Sequence, residues 1–220
     1  VDALDRIGVT GKNLLEFGSR TGQHACLLAG RGFRVTGIER SQEMVAQAEV
    51  APGFVCHQGD ICTVQLGRTF DAVLSLFHVV SYQTTNEAVQ GVFARAAEHL
   101  VTDGLFVFDV WYSPAVYAQK PEVRVKRMAD EAVEITRIAE PVLHPGENCV
   151  DINYTIFARE LANGAVHTFA ETHSMRHFSI PELQLLAQNN GFEIIGAEEF
   201  LTGKPPSEKT WSVCFMMRKA

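Results

Sequence analysis

The sequence predicts one α/β domain over residues 1–220, a doubly wound, mostly parallel seven-stranded sheet with an antiparallel β lid inserted at about 120–176. Three observations carry this prediction. Short apolar runs at 13–17, 33–39, 54–58, 70–78 and 105–110 alternate with segments of helical spacing, and Gly, Asn or Asp turns separate them. The run at 70–78, FDAVLSLFH, is almost continuously apolar, as expected of a central parallel strand buried on both faces. After Trp111 the rhythm changes to period two: Val150, Ile152, Tyr154 and Ile156 alternate with Asp151, Asn153 and Thr155, the pattern of a half-buried antiparallel strand.

In chain order, residues 2–7 read as the end of a helix, broken by Gly11 before the first strand at 13–17. The stretch LLEFGSRTG, 14–22, carries that strand into a glycine-bounded turn, and 23–31 has helical spacing. Glycines there permit backbone angles closed to other residues, and the start of a helix offers unpaired N–H groups, so the stretch is a cofactor cradle. The second strand, 33–39, ends on Glu39, 23 positions beyond Glu16, which is the span of one βαβ unit. A carboxylate at that place can accept hydrogen bonds from both hydroxyls of a ribose. Ser41 caps a helix through Glu49, with Glu43 in its first turn. A third strand at 54–58 runs into Gly59-Asp60-Ile61, which read alone is equally a turn capped by its Asp or a ligand contact.

The fourth strand, 70–78, brings the stretch 76–82 to the carboxyl edge of the sheet, where open α/β sheets bind their ligands. A helix at 85–100 leads through Thr102-Asp103-Gly104 to the fifth strand. Further strands follow near 123–128 and 133–142, then a hairpin pairing 150–161 with 166–175 through Asn163-Gly164 as a two-residue turn. Ser179-Ile180-Pro181-Glu182 opens a helix as a capping box, Asn190-Gly191 stops it, and strands at 192–200 and 210–218 close the sheet.

Composition limits what the chain can serve. With 220 residues, 46% of them hydrophobic and 20% charged, there is apolar material for one large core. A net charge of −7 argues against nucleic acid as a partner, and the densest basic run, Arg124 to Arg127, reads as a solvated strand face. Five scattered cysteines without CxxC spacing indicate reduced thiols and a cytoplasmic location rather than disulfides or zinc. No apolar run reaches the length of a membrane span and no signal peptide opens the chain, although a start at Val1 leaves room for residues upstream. His, Asp and Glu are dispersed without metal-ligand spacing. The expectation is a small-molecule acceptor, no nucleic acid, no membrane, no metal, and a monomer or homodimer.

Two cofactor classes use a strand, loop, helix cradle, and the spacing separates them. A dinucleotide fingerprint requires G-x-G-x-x-G, whereas this loop is Gly18-Ser19-Arg20-Thr21-Gly22, without the middle glycine. Glu16, two residues before Gly18, repels a diphosphate but can pair with an ammonium group. The E-x-G-x-x-x-G run, followed by Val35-Thr36-Gly37-Ile38-Glu39, resembles motif I and the acidic second-strand end of the class I S-adenosylmethionine-dependent methyltransferases, whose fold is Rossmann-like. The resemblance covers most of the chain. It implies S-adenosyl-L-methionine as cofactor, held by Glu16, Phe17, Gly18, Ser19, Arg20 and Gly22, then Glu39, Arg40 and Met44, then Gly59, Asp60 and Ile61 beside the adenine, then Leu76 and Phe77. The family usually has glycine where this chain has Arg20, which predicts a crowded loop.

Methyl transfer is an in-line displacement, for which proximity can supply roughly 7–11 kcal/mol, and a base is needed only where the acceptor must lose a proton. Candidates for handling the acceptor are His78, Tyr82, Trp111 and His173, each equally readable as a structural residue. The layout after the fifth strand, with Trp111-Tyr112-Ser113-Pro114 and the inserted lid, is similar to that of the sugar N-methyltransferases that act on nucleotide-linked deoxysugars. The alternatives left open are a small-molecule O-methyltransferase, a cofactor-binding protein of the same fold with weakened or lost catalysis, and, disfavoured by the loop, a nucleotide-dependent oxidoreductase.

Overall fold

The structure, a computed structural model, describes residues 6, 8, 9, 11–49, 51–200 and 202–220. The helix end expected at 2–7 lies outside these residues except for Arg6. Along the chain run β1 (Asn13–Phe17), α1 (Gln23–Ala29), β2 (Arg34–Glu39), α2 (Gln42–Ala46), β3 (Phe54–Gln58), β4 (Phe70–Ser75), a 3₁₀ turn (Val80–Tyr82), α3 (Asn86–Glu98) and β5 (Leu100–Tyr112). There follow α4 (Ser113–Gln119), β6 (Arg124–Ala129), β7 (Val133–His144), β8 (Cys149–Glu160), β9 (Val166–Phe178), α5 (Ile180–Asn189), β10 (Phe192–Glu199) and β11 (Ser212–Lys219).

The central sheet has the order β3-β2-β1-β4-β5-β11-β10, its first five strands parallel and its last two antiparallel. This is the predicted seven-stranded Rossmann-like sheet. Chain order reverses between β1 and β4, and a crevice opens outside the carboxyl ends of strands at such a point. Alternate residues of β5 feed both faces, Phe106, Phe108 and Val110 joining one apolar cluster and Leu105 and Val107 the other. Val89, Val92, Phe93 and Ala96 of α3 and Leu183 of α5 cover the first face, while Ala25 and Leu28 of α1 cover the second. Phe93 meets Phe106, Phe108 and Phe192 edge-on with ring centroids 5.5–6.4 Å apart, the arrangement aromatic quadrupoles favour.

The lid is the four-stranded antiparallel sheet β6-β7-β8-β9. Beyond the end of β4, β9 takes its place beside β5 through Trp111↔His177 and Tyr112↔Phe178, so the lid grows directly out of the core sheet.

Four local expectations change. The fourth strand stops at Ser75 rather than His78, because Phe77 and His78 adopt φ of 63° and 64°, a left-handed pair that no strand can contain. The helix capped by Ser41 ends at Ala46 instead of Glu49. Asn163-Gly164 is not a two-residue turn: Glu160 N donates to Ala165 O across a four-residue loop. Only Gly164 takes a positive φ there, and Asn163 uses its side chain to accept from Ala165 N and donate to Glu160. Helix α4, opened by Pro114 in its first turn, was not predicted at all.

Candidate active site

At the β1/β4 crevice two adjoining cavities, about 180 and 510 Å³, share Gly18, Arg20, Met44 and Phe77 in their walls. Glu16, Ser19 and Leu76 line the smaller. Glu39, Arg40, Gly59, Asp60 and Ile61 line one side of the larger, with Tyr82 and His173 among its remaining lining residues. Of the cofactor residues read from the sequence, Phe17 and Gly22 line neither cavity. Phe17 is fully buried in the core, and Gly22 caps α1 at φ 82° with Phe54 pressed against it, where a Cβ would lie 2.3 Å from the ring. Gly18 is equally constrained: at φ 73° an added Cβ would fall 2.6 Å from Val79, so side-chain-free backbone floors the site. Asp60 is both cap and wall, since its Oδ1 accepts from Cys62 N at 2.8 Å.

Two carboxylates dominate the electrostatics. Glu16 is 3% exposed, its Oε2 has no hydrogen-bond partner, and burial pushes its pKa up to about 7. An orphaned buried acid at the edge of a cavity is suited to an ammonium group. Glu39 is anchored, accepting from Arg20 N at 2.9 Å through Oε2 and from Ser41 N at 2.8 Å through Oε1. Each oxygen keeps a second lone pair for a ligand hydroxyl. Arg20 holds its place at φ 53°, so the turn does require the left-handed conformation for which glycine is suited. These residues fit S-adenosylmethionine, a ligand with an ammonium, a ribose and an adenine.

The acceptor candidates divide. Tyr82 Oη lies 2.9 Å from His173 Nδ1, and His173 Nε2 lies 3.0 Å from Glu171 Oε2. Burial, reinforced by Tyr154, raises the Tyr82 pKa, which keeps the phenol protonated. Trp111 faces a separate cleft of about 430 Å³, together with Tyr154, Trp211, Arg124, Lys126 and Arg137. The basic run is solvent-exposed, as expected, and the register Lys126↔Arg137 and Arg124↔Ala139 sets two of its cations along that cleft. Tyr154 of this cleft packs against His173 of the larger cavity, the rings 5.2 Å apart and perpendicular, so the two spaces are neighbours. His78 lines none of these spaces. Its Nδ1 lies 2.7 Å from Asp109 Oδ2, and Asp109, fully buried, also accepts from Ser212 Oγ. Asp109 and Glu171 escaped sequence reading. A lone acid in the apolar run Phe106-Val107-Phe108-Asp109-Val110 is a signal for the first, whereas nothing local marks the second.

Residues 14–104 match the family described as "Methyltransferase domain". Residues 14–104 are thus a methyltransferase domain, and this stretch holds the cofactor cradle from β1 to the start of β5. Among the chain's relatives, a dTDP-3-amino-3,4,6-trideoxy-alpha-D-glucopyranose N,N-dimethyltransferase of Streptomyces venezuelae is 27% identical over 88% of the chain and 78% of the relative. A dTDP-3-amino-3,6-dideoxy-alpha-D-glucopyranose N,N-dimethyltransferase of Streptomyces fradiae is 25% identical over 88% and 73%. A solved S-adenosylmethionine-dependent methyltransferase from Clostridium acetobutylicum ATCC 824 superposes with a TM-score of 0.83 at 17% identity, over 100% of this chain and 88% of that one. An amino pentose methyltransferase from Micromonospora echinaspora gives 0.80 at 24%, over 100% and 89%, and both likenesses are of fold.

Proposed function

We propose that the chain methylates the amino group of a sugar linked to a nucleotide. The observation that carries this reading is the cleft beside the larger cavity, where Arg124, Lys126 and Arg137 surround an opening walled by Trp111, Tyr154 and Trp211. Guanidinium and ammonium groups suit a diphosphate, and aromatic faces suit a pyrimidine base and a deoxysugar. The cleft neighbours the cofactor cavity where Tyr154 packs against His173, so an acceptor anchored by its phosphates would place its sugar on the side facing that cavity. The names of the two Streptomyces relatives support the same class.

On this reading Glu16 would pair with the ammonium of the cofactor, Glu39 would accept from its ribose, and Asp60 and Ile61 would hold its adenine. The bound cofactor supplies an electrophilic methyl group on a sulfonium. The chain contributes position, and proximity alone is worth roughly 7–11 kcal/mol.

The test is transfer of isotopically labelled methyl from S-adenosylmethionine to a panel of dTDP- and UDP-linked amino sugars, read by mass. Transfer is expected on at least one, with competition by free dTDP and a raised KM in Lys126→Glu. Transfer confined to nucleotide-free acceptors or to a hydroxyl would overturn the reading.

A further inference from the structure

We propose that Glu171, His173 and Tyr82 form a proton relay at the junction of the cofactor cavity and the cationic cleft, through which the acceptor's ammonium sheds a proton. The inference rests on the amine reading above and adds the path the proton takes.

The lid sets the geometry. Register pairs Ile152 with His173 and Tyr154 with Glu171, so all four side chains leave one face of the lid, the face that also carries the cleft residues Arg137 and Lys126. His173 therefore reaches the cavity wall beside Tyr82, which the core supplies from its 3₁₀ turn. Glu171 can only accept, so His173 Nε2 carries the hydrogen and Nδ1 is left as acceptor. Tyr82 must then donate to Nδ1, which leaves a lone pair on its oxygen for a proton donor in the cavity. Arg20, Tyr154 and Glu171 are the charged and titratable groups facing Tyr82 besides His173.

The step balances. An acceptor ammonium N–H proton passes to Tyr82 Oη while the proton of Tyr82 passes to His173 Nδ1. The amine nitrogen keeps the electron pair of the broken N–H bond and becomes nucleophilic, and the imidazolium sits against the Glu171 carboxylate. Tyr82 is unchanged in protonation, as a phenol that resists ionisation requires.

Two measurements test this. Nitrogen NMR of the imidazoles, with His173 assigned by its loss in His173→Gln, is expected to show the Nε2–H tautomer in the parent protein, and the Nδ1–H tautomer overturns the relay. Single-turnover methyl transfer to a nucleotide-linked amino sugar is expected to fall ~100-fold or more in Tyr82→Phe and His173→Gln. It should fall about tenfold in Glu171→Gln, which still accepts from Nε2–H but lacks the charge. Calorimetric affinity for S-adenosylhomocysteine should stay within about twofold in all three, and a parallel loss of affinity and rate would reduce the trio to a latch. If the parent protein methylates no nucleotide-linked amino sugar, the functional reading falls, and the tautomer alone then decides for or against the relay.

Discussion

Glu16 makes the empty protein sensitive to pH. A carboxyl group that titrates near 7 when folded and near 4.5 in the open chain binds more protons folded than unfolded between those values. Stability therefore falls as pH rises from about 4.5 to 7, by ~3 kcal/mol in total. His177 works the other way: burial, then Arg176, lowers it to about 4, so its contribution is lost as pH drops below about 6.5. The parent melting curve sums the two, and Glu16→Gln isolates the first. Thermal unfolding between pH 5 and 7.5 should show the variant gaining stability over its parent as pH rises, and S-adenosylhomocysteine should flatten the parent's decline by giving Glu16 a counter-charge. Arg20 is a second residue under tension. Its φ of 53° costs ~1–3 kcal/mol, and its side chain borders both cavities. Arg20→Gly should bind S-adenosylhomocysteine more tightly by calorimetry. Weaker binding would make the guanidinium a ligand for the cofactor's carboxylate.

At the scale of elements, the parallel strands and their turns were readable because each is a local matter. Asn13–Phe17 and Phe54–Gln58 are short apolar runs between turn residues, and Ser41, Thr85 and Ser179 cap their helices as their positions indicate. What the sequence hid depends on distant partners. His78 is drawn from strand geometry by its backbone bond to Asp109, 31 residues on. α4 is too short for a hydrophobic period to be seen, and its buried Ser113 is bonded to His177 of β9. The crevice lined by Glu16, Gly18, Glu39 and Asp60 could be anticipated from local sequence, whereas the Tyr82–His173–Glu171 contacts and the cationic cleft depend on strand register. The same dependence limits the lid: its buried residues Val150 and Ile152 pack with Val116 of α4 and with Trp111 and Trp211 of the core. A fragment spanning 123–178 should give no cooperative denaturation by circular dichroism.

Over the whole molecule, the net charge of −7 contrasts with the three cations gathered at one cleft, a local inversion of sign that favours an anionic acceptor. The helices on both faces of the seven-stranded sheet leave the carboxyl edge as the place where cofactor and acceptor can meet. The attachment of β9 to β5 has a mechanical meaning. A lid joined by a flexible linker swings as a gate, but this one is clamped at its base and free at its far end, like a diving board. At the clamped end Cys149 and Val150 are buried, while at the tip residues 161–172 are exposed. Motion of the lid is therefore expected in its outer strands, with the root held fixed. Amide exchange should record that gradient along β8, slow at Val150 and Ile152 and progressively faster toward Arg159, with Tyr154 and its neighbour His173 near the point where the board begins to bend.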